Sequence, residues 1–137
     1  MDITAQINQF LKDDFPQVRS QVEKIDTRYS LVRHQVIEAD LRPGGTVSGP
    51  TLFAIADLAL YVAILGEIGI KPLAVTTNLN MNFLNKPQAN TDLMGECRLI
   101  KVGKSLIMGD VFIYNEGQSQ PVVHATGTYS IPPKRSA

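Results

Sequence analysis

The sequence predicts an α+β domain in which one curled antiparallel sheet surrounds a single buried helix. Residues 50–66 are apolar nearly all round, which is typical of a helix that is buried on every side. Runs rich in Val, Ile, Thr, Phe or Tyr follow this helix at 73–84, 91–102, 105–116 and 120–131. The chain has 137 residues, the usual size of one domain. A single sheet can cover a helix on all sides only by curling around it.

The segment before the buried helix predicts one helix, one strand and a loop. An apolar stripe over residues 2–13 indicates a short amphipathic helix, which Pro16 prevents from continuing. Residues 18–28 fit either a helix or a strand, whereas residues 29–39 alternate well enough to predict a strand. The glycine- and proline-rich segment 41–50 predicts a loop that leads into the buried helix.

The strands after the buried helix predict a meander. Turn-like joints separate the last three strands, so these should pair as antiparallel neighbours, and the tail 132–137 is expected to fray. In the run 73–84, three asparagines alternate with three apolar residues: Asn78, Asn80 and Asn82 against Leu79, Met81 and Phe83. The apolar face would pack on the helix, and the polar face would meet another subunit or water. Alternatively, this run is an edge strand protected by polar residues.

Composition excludes several classes of protein. Thirteen Lys and Arg residues balance thirteen Asp and Glu residues, so the formal net charge of zero offers no attraction for nucleic acid. Cys97 is the single cysteine, which excludes an intrachain disulfide, and two histidines are too few to build a zinc site with it.

The N-terminus lacks the basic and apolar regions of a signal peptide. The uncharged run between Asp57 and Glu67 is shorter than the roughly 20 residues that span a bilayer. We therefore expect a cytoplasmic protein with neither a nucleic-acid nor a membrane partner.

Asp57 most needs an explanation because it interrupts the apolar helix. A buried carboxylate without partners costs several kcal/mol, and carboxylates in such places are often catalytic. Alternatively, Asp57 is structural and hydrogen-bonded to a strand backbone or to the Tyr61 hydroxyl, or it lies at a wet subunit interface. The loop 41–50 favours catalysis, since free N–H groups at a helix N-terminus suit an anionic oxygen. Asp57 lies about 12 Å further along the axis, so the two could act on one substrate only in a dimer.

This order of residues resembles the hotdog-fold acyl-CoA thioesterases, closest to the phenylacetate-type (PaaI-like) branch. The family carries Gly-x-x-His-Gly-Gly with an acid nine residues after the His, and residues 45–57 here read GTVSGPTLFAIAD. The later segment AVTTNLNMNFLNKP, followed by strands with VGKS between them, is also similar to the family pattern. The resemblance covers roughly residues 20–131 and implies a single-domain hotdog fold.

The resemblance also implies roles for particular residues. Asp57 would be the nucleophile or general base that delivers water to the thioester, the Gly49 N–H would polarise the carbonyl, and Thr76 would help to orient water. The substrate would contact Arg42, Ser48, Phe53, Tyr61, Asn78 and Phe83. Coenzyme A phosphates would meet cations around the VGKS turn: Arg98, Lys101 and Lys104, with Lys134 and Arg135 as further candidates. Alternatively, these cations have no ligand and are simply solvated residues at the edge of the domain.

Three positions depart from the family pattern. Ser48 stands where the motif has His, Pro50 replaces its second Gly, and Arg42 replaces a polar amide six residues before the His. Pro50 has no N–H to donate, which leaves the oxyanion role with Gly49. His34 and His124 are interpreted as structural, because neither has an acid at recognisable spacing. A dehydratase is disfavoured because hotdog enzymes of that kind usually use an Asp–His pair, and no His stands at the expected place after Asp57.

The sequence therefore predicts a homodimeric or homotetrameric hotdog thioesterase. It would hydrolyse a small or medium, including aromatic, acyl-CoA to the free acid and coenzyme A, without a metal or a redox cofactor. The alternative is a non-catalytic hotdog module that binds an acyl-CoA and regulates another process.

Overall fold

The computed structural model describes residues 2–71 and 74–133, which form two helices, one 3₁₀ turn and six strands. In chain order these are α1 (Ile3–Asp14), β1 (Gln21–Asp26), β2 (Tyr29–His34), the 3₁₀ turn (Glu38–Asp40), α2 (Gly49–Ile68), β3 (Val75–Phe83), β4 (Leu93–Val102), β5 (Leu106–Asn115) and β6 (Val123–Ser130).

The six strands form one antiparallel sheet that wraps around α2. Their order across the sheet is β1-β2-β4-β5-β6-β3, so β1 and β3 are its edges. Helix α2 contacts every strand, and β4, β5 and β6 form the predicted meander. This architecture is that of a hotdog domain and confirms the predicted fold class.

Helix α2 supplies most of the core. Its buried side chains occupy all sides of the helix: Leu52, Ile55, Ala56, Ala59, Leu60, Tyr61, Val62, Ala63, Ile64 and Leu65. Full burial of one Leu or Ile side chain contributes about 1.5–3 kcal/mol. Among the described helices, only α2 is long and apolar enough to cross a membrane by length and composition, and most of it is buried within the sheet. That burial accounts for its apolar sequence.

Local interactions set where the elements before α2 begin and end. The Asp2 carboxylate caps α1 by accepting from the Ala5 N–H. The ambiguous residues 18–28 contain strand β1, which turns into β2 through Arg28 in a left-handed conformation (φ 51°). Strand β2 ends at His34, short of the predicted 29–39, because the 3₁₀ turn begins four residues later.

Strand β3 contains a bulge that changes which way its residues face. Its pairing with β6 shifts between Thr76 and Asn78, so that Thr77 is an extra residue. Beyond the bulge, the asparagines of β3 are exposed, whereas Leu79 and Met81 pack against the core. Thr76 lies opposite the buried Tyr129 and faces α2 instead. The predicted alternation therefore applies only after the bulge, and β3 is an edge strand of this chain.

Close packing between α2 and the sheet makes Gly127 of β6 sensitive to substitution. A Cβ at this position would lie 2.5 Å from a methyl of Leu60 and 2.9 Å from a methyl of Leu79. Leu60 is fully buried. We expect Gly127→Ala to lower the free energy of unfolding by about 1–3 kcal/mol, because this packing leaves little room for a methyl group. Urea denaturation measures the change. Thr126→Ala, one residue away on the outer face, is the matched control, and equal effects of both variants would contradict this packing argument.

Candidate active site

The Asp57 carboxylate is held by two hydroxyl groups from the sheet. Its Oδ1 accepts hydrogen bonds from Thr76 Oγ1 at 2.7 Å and from the Tyr129 hydroxyl at 2.9 Å. No described residue donates a hydrogen bond to Oδ2. Asp57 is half-buried. It makes no hydrogen bond to the Tyr61 hydroxyl, so that structural alternative is wrong. One carboxylate oxygen is thus fixed by the protein, and the other is free for chemistry.

The sheet places the two donors opposite one another. Thr76 of β3 and Tyr129 of β6 are directly paired across the strands, and the bulge at Thr77 turns Thr76 towards α2. Thr76 is exposed, whereas Tyr129 is buried. The sequence pattern did not identify Tyr129, which has the appearance of an ordinary core position in an alternating strand.

These three residues line a cavity of about 530 Å³. Its remaining walls are almost entirely apolar: Leu11, Phe15, Val18, Ala54, Leu58, Tyr61, Ala74 and Val75. Leu11 and Phe15 come from α1 and the residue after it, which the resemblance did not include. An apolar cavity with a carboxylate in its wall is suited to an acyl group that reacts at one end.

Tyr61 links the aromatic side chains of this cavity. Its ring stacks on Tyr129 with a centroid distance of 5.9 Å and meets Phe15 edge-on at 6.0 Å. Its hydroxyl is buried without a hydrogen-bond partner among the described residues. Burial raises the pKa of Tyr61, and the nearby negative charge of Asp14 adds to the increase. Tyr61 thus lies in the wall of the same cavity as Asp57.

Gly49 lies in a different region of the chain surface from Asp57. It lines one cavity of about 570 Å³ with Phe53 and Phe83, and another of about 430 Å³ with Arg42. Neither cavity contains Asp57, which is about 12 Å further along α2. Within one copy of the chain, the predicted oxyanion donor and the predicted acid do not meet. Lys86 also lines the second cavity, although no motif in the sequence pointed to it.

Other predicted substrate contacts lie apart from the Asp57 cavity. The Ser48 hydroxyl caps α2, accepting from the Thr51 N–H at 3.4 Å and donating to Thr51 Oγ1 at 3.1 Å. Asn78 is exposed on the outer face of β3. Arg42 is exposed in the loop before α2.

The predicted coenzyme A cations are exposed around the β4–β5 turn. Lys101 and Lys104 are on the surface, and the Arg98 guanidinium lies 4.9 Å from the centroid of the Tyr29 ring. Lys134 and Arg135 lie outside the described residues. Leu106, which follows the turn, pairs with Ser130, and Ser130 also pairs with Val75. The turn is therefore at the same end of the sheet as Thr76 and Asp57.

The expectation that neither histidine has an acid nearby is wrong. His34 Nε2 lies 3.0 Å from Asp40 Oδ2, because the 3₁₀ turn folds Asp40 back over the end of β2. His124 Nε2 lies 3.1 Å from Asp110 Oδ1 across the β5–β6 pairing. Sequence spacing could not show either contact, since one depends on a turn and the other on strand register.

Asp40 connects several segments before α2. It accepts from the Ile37 N–H, pairs with the Arg19 guanidinium and accepts from Thr51 Oγ1 at 3.3 Å. Burial alone would raise the pKa of Asp40, but the Ile37 N–H, Arg19 and His34 together lower it to about 2. The Asp40–His34 pair is therefore a structural connection that holds the loop against α2.

Cys97 is fully buried in β4. Burial, with a further contribution from Asp110, raises the pKa of its thiol to about 12. Such a thiol is a poor nucleophile near neutral pH, so Cys97 behaves as a small apolar residue of the core.

Comparison with known proteins identifies the family. Residues 44–122 match the Thioesterase superfamily. A candidate esterase of Saccharolobus solfataricus is 30% identical over 129 residues, which are 93% of this chain and 84% of that protein. The crystal structure of a candidate thioesterase from Silicibacter sp. TM1040 is 41% identical, with a TM-score of 0.88 over 95% of this chain and 92% of that chain. The chain belongs to the thioesterase superfamily, which confirms the resemblance.

Two more distant structures share the fold. A single-residue mutant of the phenylacetic acid degradation protein PaaI from Thermus thermophilus is 20% identical, with a TM-score of 0.73 over 89% of this chain and 97% of that one. A hypothetical thioesterase from Streptococcus pneumoniae, solved with coenzyme A, is 22% identical, with a TM-score of 0.79 over 92% of this chain and 99% of that one.

The low pKa of Asp40 predicts a loss of stability in acid. A carboxylate whose pKa is lower in the folded state stabilises the fold above its unfolded pKa, and this stabilisation disappears as the pH falls through the folded value. We expect the free energy of unfolding to fall between about pH 4 and pH 2, and to fall less in Asp40→Asn. Denaturant unfolding at several pH values measures this. Asp13→Asn, on exposed α1, is the control and should retain the wild-type dependence. An unchanged acid dependence in Asp40→Asn would contradict the assignment.

Proposed function

We propose that the protein is an acyl-CoA thioesterase that hydrolyses small or medium acyl-CoAs, including aromatic ones, to the free acid and coenzyme A. The observation that carries this proposal is the Asp57 carboxylate, which has one oxygen free in the wall of an apolar cavity. Membership of the thioesterase superfamily supports the reaction class. The aromatic walls around Tyr61 support an acyl group as the occupant.

The proposed reaction uses Asp57 to activate water or to attack the thioester directly. In the first case, Oδ2 takes a proton from water as the oxygen of that water forms a bond to the carbonyl carbon. The carbonyl oxygen becomes negative, and the Gly49 N–H at the N-terminus of α2 stabilises it. The C–S bond then breaks, and the leaving coenzyme A thiolate takes the proton that Asp57 holds, which restores the Asp57 carboxylate. In the second case, an Asp57 anhydride forms first and water hydrolyses it.

Because Gly49 and Asp57 line separate cavities, we infer that a complete site uses Asp57 of one copy and Gly49 of another. The unpaired edge of β3 supports a dimer, since an exposed strand edge can pair with a second chain. Phe53 and Phe83, which are 44% and 60% exposed, lie beside Gly49. We propose a homodimer that assembles further into a tetramer.

We propose that Arg98, Lys101 and Lys104 contact the phosphates of coenzyme A. Lys101 and Lys104 lie at the Asp57 end of the sheet, which supports this because the thioester and the phosphates belong to one extended molecule. Arg98 lies further along β4, where it pairs with Asp110. The coenzyme A bound to the Streptococcus pneumoniae protein is a further reason to expect this ligand. The zero net charge and the lone cysteine support a cytoplasmic location without a nucleic-acid or membrane partner.

A second candidate function is an acyl-CoA-binding module without catalysis. Ser48 favours it, because its hydroxyl caps α2 and does not replace the motif histidine as a free donor. Binding of acyl-CoAs without turnover would distinguish this function from hydrolysis.

Asp57→Asn tests the proposed reaction. Asparagine keeps the shape of the side chain and an acceptor for Thr76 and Tyr129, but it removes the base or nucleophile. We expect thiol release from a panel of aliphatic and aromatic acyl-CoAs to fall by about 10²–10⁴-fold. Asp110→Asn, whose carboxylate contacts His124 on the outer face, is the matched control. Wild-type rates in Asp57→Asn would rule out the proposed mechanism.

Mixing two inactive variants tests the shared site. Gly49→Pro removes the proposed oxyanion donor at a position where a helix tolerates proline, and Asp57→Asn removes the acid. Each should be inactive alone. In a mixed dimer, one of the two sites regains both native residues, so random co-assembly should restore about a quarter of wild-type activity. No recovery in mixed dimers that are folded and isolated by two tags would show that both residues act within one chain.

A further inference from the structure

Two hydroxyl groups converge on the same oxygen of Asp57. The Thr76 and Tyr129 hydroxyls both donate to Oδ1, at 2.7 and 2.9 Å. The terminal torsion of an Asp side chain is broad, so a carboxylate without such donors exchanges its two oxygens by rotation. Two donors on one oxygen remove this freedom and distinguish Oδ1 from Oδ2.

Tyr129 is the more rigid of the two donors. It is 3% exposed, and its ring stacks on Tyr61, whereas Thr76 is exposed at a sheet edge where water competes for its hydroxyl. Burial raises the pKa of Tyr129 well above its usual value, and the negative charge of Asp57 raises it further. Tyr129 therefore stays protonated, and remains a donor, near neutral pH.

We propose that Tyr129 is a positioning residue that fixes Asp57 through Oδ1 and so makes Oδ2 the oxygen that acts on water or on the thioester. This proposal rests on the proposed thioesterase function. Tyr129 acts through Asp57 and does not touch the reacting atoms. Its hydrogen bond is stronger to a charged carboxylate than to a neutral acid, and the charged form is the one that acts as base or nucleophile.

Few other groups in the cavity wall could stabilise the Asp57 carboxylate. Among the described residues that line the cavity, the titratable ones are Asp57, Tyr61 and Tyr129. The Tyr61 hydroxyl makes no hydrogen bond with any described residue. No described lysine, arginine or histidine lines this cavity, so hydrogen bonds are the main local means of stabilising the carboxylate.

Tyr129→Phe tests the proposal, because phenylalanine keeps the buried ring and its stacking on Tyr61 while it removes the donor. We expect kcat for the best acyl-CoA to fall by about 10- to 100-fold, the range for one hydrogen bond to a charged group, with little change in KM. The acidic limb of the pH–rate profile should move to higher pH. Tyr114→Phe, on the outer face of β5, is the matched control and should leave kcat and the profile unchanged. A lower kcat with an unmoved acidic limb would indicate a packing defect and overturn the proposal.

A measurement that does not depend on activity separates this proposal from the proposed function. Carbon-13 NMR follows the Asp57 carboxyl resonance with pH, and its loss in Asp57→Asn provides the assignment. We expect this resonance to titrate at higher pH in Tyr129→Phe than in the wild type. If it does so while no acyl-CoA is hydrolysed by the wild type, the control of Asp57 by Tyr129 stands and the proposed function fails. If Tyr129→Phe titrates as the wild type does, the proposal is wrong, whatever the activity.

Discussion

The burial of α2 is the constraint on which the rest of the structure depends. A helix of twenty residues with apolar side chains on all sides needs a cover on all sides, and the single sheet provides it by curling. The curl has two consequences. It brings each strand into contact with α2, so that a polar side chain on this helix meets donors from the sheet. It also leaves the two outer strands, β1 and β3, without a neighbouring strand on one side among the described residues of one chain.

Asp57 shows how a carboxylate is accommodated on such a helix. Its partners are neutral hydroxyl groups, and no described cation forms an ion pair with the carboxylate. Asp40 shows the contrasting solution within the same chain, because Arg19, His34 and a backbone N–H surround it and leave it no free role. Asp40 is buried and Asp57 is half-buried, and their partners differ in what they leave available. This difference is the physical basis for assigning chemistry to one and structure to the other.

The sequence could predict the fold because its strongest signals are local. The apolar helix, the four strands after it and the glycine-rich loop each have their own pattern, and the wrapping follows from the burial that the helix requires. Asp57 was also identifiable, as a charge within an apolar run. Tyr129 was not, because its role depends on pairing with Thr76 across strands and on the bulge at Thr77. The contact between His34 and Asp40 was missed for a similar reason, since it depends on a turn that has no distinct sequence pattern.

The contribution of α1 separates part of the cavity wall from the cavity's carboxylate along the chain. Residues 44–122, which match the superfamily, contain Asp57 and Thr76, whereas Leu11 and Phe15 precede this segment. The carboxylate and part of the wall around it thus come from separate stretches of the sequence. Changes in the segment that precedes β1 can therefore reshape the cavity while Asp57 and its partners stay in place.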